Sequence, residues 1–119
     1  MHNLPETKAF TIKDKVFYFS VATRIYDLMQ GLAGLESLSP IDGMLFDFGF
    51  ETNVTMTPKG LLFPVDLAFI SEAGEVKQIT KLDPAFPFPE YSNEDVRYAL
   101  EVPLNWFSEH QIAIGDKLF

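Results

Sequence analysis

Met44-Leu45-Phe46-Asp47-Phe48-Gly49-Phe50 follows the turn cluster Ser39-Pro40-Ile41-Asp42-Gly43 and sets Met44, Phe46, Phe48 and Phe50 at strict period two. Successive side chains on a strand point to opposite faces, so this spacing predicts a strand with one dry face. Upstream, two apolar runs between Phe10 and Ala22 flank Lys13-Asp14-Lys15, the pattern of a hairpin. Between hairpin and strand, Ile25, Leu28, Met29 and Leu32 recur at helical spacing. They predict one short helix over 24–35, with Thr23 as N-cap and Gly31 and Gly34 placed to stop it.

Downstream the pattern stays extended. Residues 53–57 read as a short strand, Thr57-Pro58-Lys59-Gly60 as a turn, and the run from Leu61 to Ile70 as a buried segment broken by one charge, Asp66. Val76 to Leu82 predicts a strand whose imperfect alternation suggests a bulge. Asp83 to Pro89 holds three prolines, which lack donors and restrict the residues before them, so a surface loop is expected there. Tyr98, Leu100 and Val102 mark a further strand, Leu104 to His110 a short helix, and a last strand is expected from Ile112. The whole predicts an all-β fold: a small single-domain barrel or sandwich over 1–119, with about seven or eight short strands and one or two short helices.

Composition agrees with one core. The 119 residues are 47% hydrophobic and 22% charged, and a chain of this length should bury about two-thirds of its extended surface on folding. With no cysteine there is no disulfide, no thiolate metal site and no thiol nucleophile. A net charge of -8 repels phosphate backbones and anionic lipid heads, so neither nucleic acid nor a membrane is an expected partner. No segment reads as a signal peptide or a membrane span, which places the expected protein in the cytoplasm or within a larger particle. Oligomeric state is not encoded legibly.

Four separated motifs, GMLFDF at 43–48, PVDLAFI at 64–70, ALEVP at 99–103 and IGD at 114–116, occur in the order of a known family. The chain resembles the domain of unknown function 192 family, also called uncharacterised protein family 0127, over roughly residues 16–119. Ala22-Thr23 and Gly31-Leu32 resemble two further family positions. The family's tryptophan and Asn-Thr pair before the Pro-Leu-Asp motif are absent, the gap from Met56 to Asp66 is longer, and Asn105 stands near a family glycine. The resemblance implies a compact β-fold and, since the family has no settled activity, no reaction.

Asp66 and Glu101 are the first candidates for a site, because each is the lone charge of an apolar stretch. A buried carboxylate needs hydrogen bonds, a cation or a proton. Two readings follow: an acid pair in a pocket that moves protons or holds a hard cation, or structural carboxylates that cap backbone N–H groups or pair with Arg24, Arg97 or Lys59. Asp116, after Gly115, reads as a turn residue bonding its own backbone. His2 and His110 have no partners at zinc spacing, no G-x-S-x-G elbow or phosphate loop is present, and the sequon Asn53-Val54-Thr55 reads as accidental. No cofactor or metal is predicted.

Met56, Phe86, Phe88, Tyr91 and Trp106 form the candidate binding surface. In one version the aromatics are an exposed patch, with Phe86 and Phe88 at least partly open; in the other they plug the ends of a barrel. Three functions remain open: a non-catalytic β-domain that binds a small ligand or a protein at a barrel mouth between the 56–60 and 84–89 loops, a structural or assembly component of a cell or virion, and a hydrolase-like enzyme using Asp66 and Glu101.

Overall fold

The computed structural model describes residues 3–119. Strand β1 (Thr7–Ile12) turns at Lys13 and Asp14, both at positive φ, into antiparallel β2 (Lys15–Ala22). Helix α1 (Ile25–Gln30) and a long connection precede β3 (Gly43–Thr52). Then come β4 (Thr55–Met56), β5 (Val65–Ile70), β6 (Val76–Leu82), β7 (Glu90–Tyr91), β8 (Val96–Val102) and α2 (Trp106–Glu109). Six strands form one sheet in the order β1-β2-β3-β8-β5-β6, and β4 pairs with β7 in a separate ribbon. The sheet is not closed: β1 and β6 are its edges, so the mostly-β expectation is met as a sandwich-like arrangement rather than a barrel.

The β2–β3 pair is parallel, with Ala22 beside Phe46, whereas the other pairs of the sheet are antiparallel. A parallel pair needs a crossover of about a dozen residues or more. Residues 23–42 supply it, and they carry Leu32 and Leu38 onto one face of the sheet. That face packs Met44, Phe46, Leu67, Phe69 and Ala99 beneath Val54, Met56 and Leu61. On the other face Phe19, Leu45, Ala68, Ile70, Leu100 and Val102 meet Trp106, Phe107, Ile112 and Leu118. With two buried faces, the central strands read as nearly continuous apolar runs.

Several expectations shift accordingly. Strand β3 has two dry faces at its start, where Met44, Leu45 and Phe46 are all buried, and none at its end, where Phe50 is exposed. Helix α1 is capped by Arg24 without a side-chain bond, not by Thr23, and stops at Gln30. Ile25 and Met29, two of the apolar residues at helical spacing, lie open to solvent. The bulge foreseen near Val76 is present: the β5–β6 register slips between Phe69 and Ile70. No strand runs from Ile112; the C-terminal segment instead packs its apolar residues on the sheet and is tied to the start of β6 and the turn before it by an isolated bridge between Lys117 and Glu75 and by backbone bonds from Val76 N–H to Asp116 O, from Gly115 N–H to Val76 O and from Leu118 N–H to Gly74 O.

Candidate functional site

The antiparallel register decides what Asp66 and Glu101 can do together. Asp66 pairs with Val102 and Leu67 with Glu101, and directly paired residues share a face while neighbours along a strand do not. The two carboxylates therefore leave the sheet on opposite sides, and the acid-pair reading fails on geometry. Asp66 is structural in its contacts: its Oδ2 accepts the backbone N–H of Asn105 at 2.8 Å. Asn105 holds a left-handed conformation at φ 70° that lets the chain turn from β8 into α2, so Asp66 fastens that turn.

Glu101 is different. It is 3% exposed, and its neighbours across the ladders are Met44 and Leu67, both buried in the core. Among the described residues none donates a hydrogen bond to its carboxyl, and burial alone pushes its pKa up to about 8. A charge without water or donors is costly, so the proton stays on near neutrality. Neither Arg97 nor Lys59 pairs with it. Arg97 instead bridges Asp47 at 3.0 Å and Glu72 at 3.2 Å; burial works to raise the Asp47 pKa, but the bonds from Arg97 and from the Gly49 N–H outweigh it and hold the carboxyl below its usual range.

The Glu101 side of the sheet carries a cavity of about 390 Å³. Leu28, Gly31 and Leu32 of the crossover form one wall, Met56, Lys59 and Leu61 another, and Phe46 and Glu101 belong to the sheet beneath. Among the described residues, Glu101 and Lys59 are the two ionisable ones in this lining. The two walls are tied together where the Gly34 N–H donates to the Gly60 carbonyl at 2.9 Å. Gly60, at φ 83°, sits so close that a Cβ there would lie 2.9 Å from the Ala33 Cβ. Only glycine permits both that conformation and that approach.

These features sit on the motif segments, with GMLFDF supplying Phe46 and ALEVP supplying Glu101. A family model covers nearly all of the chain: DUF192, described as an uncharacterized ACR, matches residues 8–119. The chain belongs to the DUF192 family. No curated protein matches it. Solved structures do, among them the following two. A putative transcription regulator from Sinorhizobium meliloti 1021 is 24% identical with a TM-score of 0.86, over 98% of this chain and 95% of that one. A protein of unknown function from Novosphingobium aromaticivorans DSM 12444 is 20% identical with a TM-score of 0.78, over 92% and 80% respectively. At such identities the likeness establishes the fold.

The remaining candidates of this DUF192 chain separate cleanly. Asp116 is a turn carboxylate: it accepts the Ala113 N–H at 2.9 Å and pairs with Lys13 at 3.2 Å, and these hold its pKa low. Met56 is buried and lines the cavity. Phe86 and Phe88 are 68% and 75% exposed, and Tyr91 is also open, but none of the three reaches the cavity. Trp106, expected on the binding surface, is 5% exposed; it meets Phe17 edge-on at 4.8 Å and His110 at 4.7 Å on the far side of the sheet. The mouth foreseen between two loops thus has the 56–60 loop on one side, while α1 and its following turn replace the 84–89 loop on the other. His2 lies outside the described residues. Among those described, no three His, Cys, Asp or Glu side chains cluster closely enough to hold a metal ion, and no helix is long and apolar enough to cross a membrane.

Leu28, Phe46 and Leu61 escaped attention as site residues because an apolar side chain that lines a cavity has the same periodicity as one that fills a core. The sequence marks Lys59 as a turn residue and as a candidate partner of the carboxylates, not as a lining residue.

Proposed function

We propose that this protein is a non-catalytic binding domain for a small, largely apolar molecule held between the crossover segment and the 56–60 loop. One observation carries the reading: a carboxyl only 3% exposed, Glu101, which accepts no hydrogen bond from any described residue, lines an otherwise mostly apolar cavity. Ligand sites commonly combine an apolar wall with a few polar groups that fix orientation, and a volume near 390 Å³ lies within their usual range. Among the described lining residues Glu101 is the one acid, and Asp66 leaves the sheet on the opposite face, which weighs against a hydrolase built on those two carboxylates.

The test is displacement of an apolar fluorescent dye from the wild-type protein and from Leu28→Trp, which fills the cavity from the half-buried face of α1. Saturable dye binding that disappears in Leu28→Trp, with cooperative unfolding retained, is the expected result. Dye binding of equal strength in both proteins would place the site elsewhere.

A further inference from the structure

The charge arrangement of the cavity says more about its occupant, on the premise that the cavity is a ligand site. We propose that the ligand is an apolar organic amine whose ammonium group is received by Glu101, with its hydrocarbon body lying against Leu28, Leu32, Phe46, Met56 and Leu61. A carboxyl buried at 3% exposure with no described donor lacks what an ammonium supplies: a compensating charge and three N–H groups in one atom's reach. A neutral alcohol supplies one donor and no charge. A carboxylate ligand carries its own charge into a cavity end that offers it one carboxyl O–H and no cation, so burial of that charge goes uncompensated.

The surroundings point the same way. The chain carries a net charge of -8, which raises the local concentration of cations over anions. Among the described residues Lys59 is the one cationic group in the lining, and it is exposed on the turn after Pro58, where its ammonium can extend into water. The inner part of the cavity around Glu101 is therefore free of built-in cation. Binding also has a proton balance. Unliganded Glu101 holds a proton near neutrality; an arriving alkylammonium is already protonated, so formation of the ammonium–carboxylate pair releases the Glu101 proton to solvent. About one proton leaves per ligand bound at pH 7, and the number falls toward zero above the free carboxyl's pKa.

Calorimetric titration of the full chain at pH 7 with hexylamine, hexanol and hexanoate, in two buffers of different ionisation enthalpy, separates the possibilities. The expected result is hexylamine binding at least about tenfold tighter than hexanol, with proton release, and a loss of at least about thirtyfold for hexylamine in Glu101→Gln while hexanol binding is kept. Hexanol or hexanoate binding as tightly as hexylamine would overturn the amine assignment and leave the cavity as a ligand site. Binding of none of the three by wild type would overturn the cavity reading itself. Equal hexylamine affinity in Glu101→Gln would overturn the role given to Glu101.

Discussion

Gly43 and Glu101 meet backbone to backbone: a Cβ placed on Gly43 would fall 2.4 Å from the Glu101 carbonyl oxygen and 2.8 Å from the Val102 Cγ1. The first residue of β3 thereby sets how closely β3 approaches β8 at the residue that carries the buried carboxyl. Both partners belong to the motif segments, so the glycine that opens GMLFDF has a steric reason to be glycine.

Gly43→Ala should therefore force the two strands apart. A loss of about 1–3 kcal/mol is expected, in the range of overpacked cores, read as a lowered urea midpoint. An unchanged midpoint would mean that β3 has room to shift without consequence.

Asp66→Ala removes the acceptor for the Asn105 N–H. Because the bond lies near the surface, the cost should be about 1 kcal/mol, at the low end for a lost partner, and Asp66→Asn should recover much of it. A variant as stable as wild type would show that the β8–α2 turn needs no side-chain fastening.

Changing Phe86 and Phe88 together to serine should leave stability within about 0.5 kcal/mol, since both rings stand in solvent and the turn around them is held by backbone bonds such as Phe86 N–H to Asp83 O. A loss of several kcal/mol would show the rings to be plugs of the core.

Stability should also depend on pH through Glu101. Its pKa rises from the ordinary 4.5 to about 8 on folding, so the folded state binds the proton more tightly and the associated stability is fully present below the unfolded value. It is lost as pH climbs through the window from about 5 to 8, at up to about 1.4 kcal/mol per pH unit. The difference between wild type and Glu101→Gln across that window isolates the effect, and parallel pH profiles would contradict it.

Much of the architecture was legible because strands announce themselves at period two and turns by glycine, proline and aspartate. The hairpin of β1 and β2, the extent of β6 and its bulge follow from local pattern alone. What local pattern lacks is information about the second face. Leu45 and Phe46 are neighbours that point to opposite sides of one sheet, and both are buried because the crossover covers one side and the C-terminal segment the other. Residues 112–119 look like a strand for the same reason: Ile112 and Leu118 are apolar because they cover a sheet, not because they pair in one. For the site, Asp66 and Glu101 look alike in sequence as lone charges in apolar runs, yet Glu101 is buried and Asp66 only half-buried. Their separation onto opposite faces depends on strand register, which is set by distant pairings. Helix α1 misled in a further way: Ile25 and Met29 follow helical spacing yet face solvent, while Leu28 turns toward the cavity.

Glu101 is buried, accepts no hydrogen bond from any described residue, and lines the cavity proposed to hold the ligand. Its side-chain carboxyl carbon, observed by NMR through a pH titration of the selectively labelled protein, reports this most directly. A midpoint near 8 is expected in the free protein, displaced to lower pH when hexylamine is present. A midpoint near 4.5 that hexylamine does not move would contradict it.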